Sequence, residues 1–337
     1  MQHTDIAIIG AGPVGLFAVF EAGMLGMKCH VIDALDHIGG QCSALYPEKP
    51  IYDIPAHPKI SAQDLIDNLE QQAAPFSPTY HLSQQVIEIS GSAEEGFQLK
   101  TSKDTQLNCK VIIIAAGPGA FGPNRPPIKN IQNFENHSVF YSVRHKEALR
   151  DKNIVIAGGG DSAVDWALEL YDIAKSVSVI HRRDHFRAAP DTVEKLRKLA
   201  SDGKIGWYVP GQLADLEGDG TNISHVVIRD DENNLKHIKA DILLPFFGLA
   251  AKLGPVADWG LNLDRNHIQT EISTSATNIP GIYAIGDIAT YANKLKLILT
   301  GFAEAAAAAH DAYKIVFDGK ALHFEYSTTK GVSPVHA

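Results

Sequence analysis

Two glycine-rich segments of this chain have the spacing of nucleotide-binding turns. The first, GAGPVG at 10–15, follows a short apolar run at 5–9 and opens a helical pattern that extends to about residue 26. Glycines at this spacing allow a tight turn, close approach of backbone to a pyrophosphate and close helix–strand packing. Free N–H groups at the start of the helix favour the phosphate. This first glycine turn predicts a dinucleotide site at Gly10, Gly12, Pro13 and Gly15.

The strand that follows the first glycine turn ends in an acid. A second apolar run occupies 28–33 and ends at Asp33. An acid at that position accepts hydrogen bonds from the ribose hydroxyls of an adenosine. A GxGxxG alone is a weak signal, and its alternative is a glycine-rich packing turn. Here the motif follows a strand, opens a helix and has its acid, so we predict a bound dinucleotide.

The second segment, GGGDSA at 158–163, repeats the pattern as GxGxxA. An apolar run at 153–157 precedes it, a helical stretch at 161–173 follows, and a strand is predicted at 176–180. This second glycine turn predicts another nucleotide site, with contacts from Gly158, Gly160, Asp161, Ser162 and Ala163.

The second unit differs from the first at the end of its second strand. In place of an acid the chain reads HRRDHFR at 181–187, here called the arginine segment. An acid would repel a 2′-phosphate, whereas guanidinium groups bind it through charge-assisted, often bidentate hydrogen bonds. The segment therefore predicts NADP(H) rather than NAD(H); a solvated basic turn is the alternative. The residues expected to contact NADP are His181, Arg182, Arg183 and Arg187.

A third motif lies late in the chain, where YAIGD at 283–287 predicts a strand ending in Gly-Asp. A long helix is expected after a loop, from about Thr300. Asp287 could bond a ribityl hydroxyl, and the helix N-terminus could favour the anionic reduced form of a flavin at its N1–C2=O edge. Alone this pattern is usually a turn, but beside the first glycine turn it gains weight.

Composition excludes several other classes. The chain has 337 residues, enough for about two domains, and is 45% hydrophobic and 20% charged, which argues against disorder. Its three cysteines, Cys29, Cys42 and Cys109, rule out a disulfide scaffold and show no CxxC spacing. The net charge of −9 disfavours general nucleic-acid binding. No histidine pattern suggests a metal site, so none is expected.

The spacing of the motifs predicts an α/β fold with two Rossmann-like, three-layer dinucleotide-binding domains. Gly/Pro-rich breaks after the apolar strands 111–115 and 241–247 are interpreted as a pair of hinges. They predict one domain from 1–119 and 248–337, with an NADP-binding domain, 120–247, inserted in it. Neither a membrane-spanning run nor an export signal is recognised. A cytoplasmic location is therefore expected.

These motifs together resemble the flavoprotein pyridine nucleotide-disulfide reductase superfamily. The length and the inserted domain are similar to thioredoxin reductase, but YSVRH at 141–145 stands where that family carries its CxxC. The closer resemblance is to the thioredoxin-reductase-like type of ferredoxin–NADP(+) reductase. It rests on GGQCSALYPEKPIYDIP for flavin binding, GGGDSAVDWALEL for the NADP turn and HRRDHFRA for the phosphate site. It runs from about residue 4 to the C-terminus.

The resemblance implies an FAD enzyme that exchanges a hydride with NADP(H) and single electrons with ferredoxin or flavodoxin. It implies a homodimer with a C-terminal extension from about residue 318, and a flavin stacked between Tyr46 and Tyr326, the latter from the second subunit. No side chain need act as acid or base, since the flavin does the chemistry. The FAD contacts implied are Asp33, Gln41, Tyr46, Val86 through its backbone, Phe121, Asp287 and Thr328.

An acidic ferredoxin would need a local basic face on this acidic chain. Lys294, Lys296 and Lys330 are candidates for it. Three other functions remain open: a flavin- or quinone-type NADPH reductase (diaphorase) without a protein carrier, a disulfide reductase using Cys42, and a non-enzymatic nucleotide sensor. A lone cysteine is more often a small buried hydrophobe. Two intact nucleotide turns without an effector domain disfavour the sensor.

Overall fold

Five short parallel strands form the central sheet of the unit built from Met1–Phe121 and Ala251–Ala337. Their order is Ile282–Ala284, Val111–Ile114, Ile6–Ile9, Cys29–Ile32 and Thr79–His81. The middle strands are runs of Ile, Val and Ala that are buried along their whole length. Such continuous apolar runs suit a parallel sheet covered on both faces. Ile8 is paired with Ile113 on one side and Val31 on the other.

The two faces of this sheet are covered differently. Ile8 and Ile113 pack with alanines of the helices Pro13–Met24 and Ile298–Val316. Small side chains let these helices lie close to the strands. The alternate residues, such as Ile112 and Ile114, pack against an antiparallel sheet that contributes Phe97, Leu99 and Leu107. The result is a helix–sheet–sheet arrangement of three layers.

The computed structural model describes residues 1–143, 145–323 and 327–332, and at 120–123, 249–252, 327 and 330 it describes the backbone alone. The chain divides into a first unit, Met1–Phe121 with Ala251–Ala337, and an inserted unit, Gly122–Ala250. The sequence prediction placed the crossings at 119/120 and 247/248. The connecting segments Ala120–Pro123 and Leu249–Lys252 form a two-stranded sheet. Their role as hinges stays a prediction.

The inserted unit repeats the first design on a smaller scale. Its parallel strands follow the order Gly206–Tyr208, Ser176–Ile180, Asn153–Ala157 and Ile242–Pro245. One face packs on helices and the other on an antiparallel sheet of three strands. The other elements are the helices Asp161–Leu170 and Pro190–Ser201, the 3-10 turns Ile131–Asn133 and Lys146–Leu149, and the strands Gly211–Gly218, Ile223–Asp230 and Leu235–Lys239.

Some predicted bounds shift for local reasons. The sequence over 60–73 has the pattern of an amphipathic helix, but the helix begins only at Ala62. The Ser61 hydroxyl accepts a hydrogen bond from Asp64 N (3.0 Å) and caps its first turn. Ile60–Ser61 instead pairs with Pro50–Ile51. The helix expected over 161–173 ends at Leu170, and the helix expected from Thr300 already begins at Ile298.

The remaining elements of the first unit are short or lie at its edges. Among the helices that the structure describes, none has both the length and the apolar character needed to cross a bilayer. The remaining strands are Gln2–His3, Val86–Ser92, Gly96–Thr101, Gln106–Cys109, Leu263–Asp264, His267–Gln269 and Ala289–Thr290; the remaining helices are Gln41–Leu45, Ala62–Ala73 and Ser327–Lys330; the 3-10 turns are Ala74–Phe76, Gly254–Asp258 and Gly286–Ile288.

Candidate cofactor-binding sites

A cleft lies at the carboxyl ends of the parallel strands of the first unit, where open α/β sheets bind their ligands. All the residues that line it belong to that unit. The strands deliver Gly10, Asp33 and Gly286 to the same edge, because parallel strands all end there. The residues predicted from the sequence that line the cleft are Gly10, Gly12, Pro13, Asp33, Gln41, Tyr46, Val86 and Asp287.

Three glycines of the first glycine turn have three different reasons to be glycine. Gly10 has φ +113°, and a Cβ there would lie 2.4 Å from the carbonyl oxygen of Ala115. A Cβ on Gly15 would lie 2.0 Å from the carbonyl oxygen of Gly10, so this position allows the helix to pack on the turn. A Cβ on Gly12 would meet no atom within 4 Å, and this residue lines the cleft. Its missing side chain leaves space for a ligand.

The helix Pro13–Met24 begins at this open position. Its N-cap, Gly12, offers no side-chain hydrogen bond to the first N–H groups, and no acidic residue stands in the first turn. The helix N-terminus therefore keeps donors and a positive dipole end for an anion. Gly15 is buried behind the turn and does not line the cleft.

Asp33 is held by backbone donors from two directions. Its Oδ2 accepts a hydrogen bond from Ala11 N (2.6 Å), and its Oδ1 accepts one from Leu35 N (2.8 Å). Burial raises the pKa of Asp33, while these backbone bonds oppose the shift. Each carboxylate oxygen retains a lone pair after one backbone bond. The side chain can therefore accept further hydrogen bonds from ribose hydroxyls at the cleft wall.

Gln41 and Tyr46 come from the short helix Gln41–Leu45 and the residue that ends it. Cys42, between them, is 2% exposed and packs with Leu16 and Ile66. Burial raises the pKa of Cys42 to about 11. The thiolate is the nucleophilic form of cysteine, so Cys42 is a protonated, buried side chain at neutral pH. This agrees with the structural interpretation of that residue.

Several cleft residues were not anticipated from the sequence. Gln84 and Gln85 follow the edge strand Thr79–His81. Pro118 and Gly119 belong to the break that the sequence suggested only as a hinge. Trp259 also lines the cleft, and its buried indole N–H has no acceptor among the described residues. A Gly/Pro break at the carboxyl end of a buried strand was the signal available for 118–119; Trp259 had none.

Three predicted flavin contacts do not lie in the described cleft. Thr328 is exposed in the helix Ser327–Lys330 and does not line it. The side chain of Phe121 and the whole of Tyr326 lie outside the described residues. The roles assigned to these three residues stay predictions.

The predicted docking role of Lys294 is wrong. Its side chain is 4% exposed and forms an ion pair with Glu304, itself 5% exposed. A buried, paired ammonium cannot present charge to a partner protein. Lys296 is exposed and lies beside His267. The side chain of Lys330 lies outside the described part of the chain.

The second glycine turn follows the same backbone logic as the first. Gly158 has φ +155°, and a Cβ there would lie 2.6 Å from the carbonyl oxygen of Phe246. A Cβ on Gly159 would lie 2.3 Å from Nε2 of His181, so the middle residue must also be small. Gly160 is open, with no atom within 4 Å, and is the N-cap of the helix Asp161–Leu170. That N-cap makes no side-chain hydrogen bond.

Hydrogen bonds to backbone carbonyl oxygens hold the arginine segment beside this turn. Arg187 N donates to the carbonyl oxygen of Gly159 (2.7 Å), and Nε2 of His181 lies 3.2 Å from the carbonyl oxygen of His185. Arg182, Arg183 and Arg187 are exposed. Burial and the three arginines lower the pKa of His181. Neutral His181 donates a hydrogen bond from Nε2 to the carbonyl oxygen of His185. The three exposed guanidinium groups can meet an anion from solvent.

The helix Pro190–Ser201 also holds the arginine segment, through Arg197. Arg197 Nη2 donates to both the carbonyl oxygen and Oδ1 of Asp184, at 2.8 Å each. The guanidinium carbon lies 5.6 Å from the ring centre of Trp207 and 6.0 Å from that of Phe186. These rings hold Arg197 in place. Arg197 thus engages the one acid within the arginine segment. The described residues include no cluster of three or more metal-ligating side chains.

Comparison with known proteins assigns the family. The model of the pyridine nucleotide-disulphide oxidoreductase family matches residues 4–312. A solved thioredoxin reductase from Lactococcus lactis is 26% identical, with a TM-score of 0.78, and the match covers 94% of this chain and 99% of that chain. The chain therefore belongs to the pyridine nucleotide-disulphide oxidoreductase family and is an oxidoreductase. The predicted α/β fold class is confirmed.

Within this family, the similar curated relatives share one name. A protein of Rickettsia felis named ferredoxin–NADP reductase is 61% identical over 331 residues, covering 98% of this chain and 98% of the relative. One of Rickettsia bellii with the same name is 59% identical over 330 residues, covering 98% and 99%. The resemblance recognised from the motifs is confirmed. FAD and NADP(H) are the cofactors that these relationships imply.

The residues of the first unit fit FAD on structural grounds. Gly12 leaves open space where a Cβ would otherwise stand, at a helix start with free donors. Asp33 keeps acceptors for hydroxyls, and Trp259 keeps a donor for an acceptor that the described protein does not supply. A dinucleotide offers phosphates, hydroxyls and ring acceptors, so its chemistry is complementary to this cleft.

Proposed function

We propose that this chain is an FAD-dependent ferredoxin–NADP(+) reductase. The observation that carries the proposal is the 61% identity, over 98% of both chains, to a relative of that name. The chemistry of the two turns supports it: one has a half-buried acid at its strand end and the other an exposed run of arginines. The three cysteines have no CxxC spacing, so the dithiol of a thioredoxin reductase is missing from the sequence.

The first unit binds FAD in this proposal. Its helix Pro13–Met24 faces the pyrophosphate, and Asp33 accepts hydrogen bonds from the adenosine ribose. Asp287 bonds the ribityl chain, Tyr46 packs on the ring, and Val86 contributes backbone near the adenine. Bound FAD supplies the redox chemistry, accepting two electrons together from NADPH and releasing them one at a time. Gln41, Phe121, Tyr326 and Thr328 complete the proposed FAD contacts.

The inserted unit binds NADP(H). Gly160 leaves room for the pyrophosphate at the start of the helix Asp161–Leu170, where Ser162 and Ala163 follow. Arg182, Arg183 and Arg187 contact the 2′-phosphate, since guanidinium groups match its geometry. His181 is a positioning residue here, because it bonds the backbone of the same segment. No side chain acts as acid or base.

The partner in this proposal is a small acidic electron carrier, ferredoxin or flavodoxin. Lys296, which is exposed, and Lys330, whose side chain lies outside the described residues, remain the candidates for contact with an acidic carrier. We also propose a homodimer, in which Tyr326 of the second subunit covers the flavin, and a cytoplasmic location. The homodimer rests on the resemblance of the motifs, and the location is supported by the low cysteine content of the chain.

The test is NADPH-driven reduction of cytochrome c by the purified yellow protein, with and without added ferredoxin, beside the same assay with NADH. The proposal expects a large stimulation by ferredoxin and a preference for NADPH. Flavin reduction without stimulation by ferredoxin or flavodoxin would favour a reductase that needs no protein carrier. Loss of activity on Cys42→Ser would instead point to a disulfide reductase.

A further inference from the structure

A buried ion pair lies directly behind the Gly-Asp turn. Glu304, on the helix Ile298–Val316, is 5% exposed, and the side chain of Lys294 is 4% exposed. Burying a charged side chain is costly unless it is paired and hydrogen-bonded. Both side chains lie in the first unit, and neither is accessible at its surface.

Glu304 uses both carboxylate oxygens to hold the segment that precedes its own helix. Oε2 accepts a hydrogen bond from Gly286 N (2.7 Å), and Oε1 accepts one from the Tyr291 hydroxyl (2.7 Å) as well as from the Lys294 ammonium. Burial and Glu304 raise the pKa of Tyr291 to about 12, so its hydroxyl stays a donor. One carboxylate thus joins three points within residues 286–294.

The helix Pro13–Met24 also packs against the Gly-Asp turn, through the side chain of Val14. A Cβ on Gly286 would lie 3.4 Å from Val14, and a Cβ on Gly301 would lie 2.4 Å from the same side chain. Gly301 and Glu304 are three residues apart, so they share a face of their helix. The Gly-Asp turn is therefore contacted both by Val14, which lies in the first glycine turn, and by Glu304.

The charges are not needed for packing alone. A buried salt bridge is weak evidence for stability, because apolar residues of similar volume are often as good or better. What an apolar pair could not do is accept the hydrogen bond of Gly286 N. Asp287, the next residue, lines the cleft.

We propose that Glu304, with Lys294 as its counter-ion, is the positioning residue that fixes the Gly-Asp turn so that Asp287 can bind the FAD ribityl chain. This inference rests on the proposed FAD site in the first unit. The Lys294 ammonium and the Tyr291 hydroxyl both bond Oε1 of Glu304, and this holds Oε2 toward Gly286 N.

Two double variants isolate the hydrogen bond to Gly286. Lys294→Met with Glu304→Gln removes both charges but keeps a carbonyl oxygen for Gly286 N, while its amide NH2 donates to the Tyr291 hydroxyl in place of the carboxylate oxygen that accepted from it. Lys294→Met with Glu304→Met removes the charges and the acceptor. Lys100→Met is the control, since it breaks an exposed ion pair of the same unit. FAD is stripped from each protein, and the Kd for FAD is measured by fluorescence, with visible circular dichroism of the bound flavin.

The Met/Gln variant and the control should bind FAD within about threefold of the unmodified chain. The Met/Met variant should bind at least tenfold more weakly, about 1.4 kcal/mol, with an altered flavin dichroism and retained binding of 2′,5′-ADP to the inserted unit. Equal FAD affinity of the two double variants overturns the inference.

If the Met/Met protein does not fold, Glu304→Asp serves instead. It keeps the charge but is one methylene too short to reach Gly286 N. At least tenfold weaker FAD binding supports the positioning role, and unchanged binding overturns it. Failure of the unmodified apoprotein to bind FAD overturns the proposed function itself, a separate result.

Discussion

The two glycine turns of this molecule share a backbone and differ in the side chains at the strand ends. Gly10 and Gly158 occupy equivalent places: a Cβ would meet the carbonyl oxygen of Ala115 in one and of Phe246 in the other. Both helices begin at an open glycine without a side-chain cap. The two turns therefore present a similar backbone to a phosphate, and the proposed choice between the two cofactors has to come from side chains.

Discrimination comes from charge and its surroundings. Asp33 is half-buried and accepts hydrogen bonds from two backbone N–H groups, so it can receive hydroxyls without an adjacent cation. The arginines of 181–187 are exposed, and other residues hold their backbone in place. Several buried like charges would be costly, whereas exposed guanidinium groups meet a phosphate at little desolvation cost. The acid is therefore part of the hydrogen-bond network of the fold, whereas the basic site consists of exposed side chains on a segment that is held through its backbone.

The largest expected effect concerns the third small residue of each turn. Gly15→Ala places a Cβ 2.0 Å from the carbonyl oxygen of Gly10, which should cost about 3 kcal/mol of stability and abolish FAD retention. The reverse change in the other turn, Ala163→Gly, should cost only about 1 kcal/mol, the helix propensity difference. Thermal unfolding and the FAD content of the purified variants measure both. Similar losses in the two would mean that the turns are not packed differently at this position.

The next effect tests the cofactor choice of the arginine segment. If Arg182 and Arg183 bind the 2′-phosphate as proposed, Arg182→Gln and Arg183→Gln should each remove a charged hydrogen bond worth about 1.5–3 kcal/mol. We expect KM for NADPH to rise about tenfold or more, and KM for NADH to change less than about twofold by the same argument. Arg229→Gln, an exposed arginine of the same unit, is the control. A parallel rise of both KM values would contradict 2′-phosphate recognition.

A smaller effect is expected from Arg197, which neutralises Asp184. Arg197→Leu frees the carboxylate inside a phosphate-binding segment. Because exposed charge pairs are screened, the affinity for 2′,5′-ADP should fall only about two- to fivefold. Adding Asp184→Asn should restore most of it, since the repulsive charge is gone. Calorimetric titration of each holoenzyme with 2′,5′-ADP measures these affinities. If the double variant recovers no affinity, the electrostatic explanation is wrong.

The smallest expected effect is a pH dependence of stability that arises in the first unit. In the first unit, Nδ1 of His30 lies 3.0 Å from Nε2 of His81 on the neighbouring strand. Burial lowers the pKa of both, and for His30 the proximity of His81 adds to it. The folded chain therefore binds protons less readily than the unfolded chain. Stability should be complete above about pH 6.5, the ordinary value, and be lost as the pH falls below it.

His30→Gln should flatten that acid dependence. The measurement is the difference in Tm between pH 7.5 and pH 5.5 for the variant and the unmodified chain. An equal difference in both proteins would show that other groups govern the acid side.

Much of the architecture was readable from the sequence because it is encoded in contiguous residues. The strands 153–157 and 176–180 match the structure in full, since each is an apolar run bounded by turn residues. The helix expected from residue 60 missed by two residues because Ser61 acts as a cap. Gln84 and Trp259 were missed as cleft residues because nothing in their local pattern differs from that of an ordinary loop, whereas the Gly/Pro break that contains Pro118 was interpreted only as a hinge.

Lys294 shows most clearly what could not be predicted from the sequence alone. In the sequence it is one lysine in a polar loop and suggests a docking surface, yet the structure buries it against Glu304. The sequence by itself determined the two turns, the acid of one, the arginines of the other and the family, because spacing along the chain specifies local backbone and charge. Only the tertiary structure decided which charges are buried together, since that depends on how distant helices and loops pack against one another.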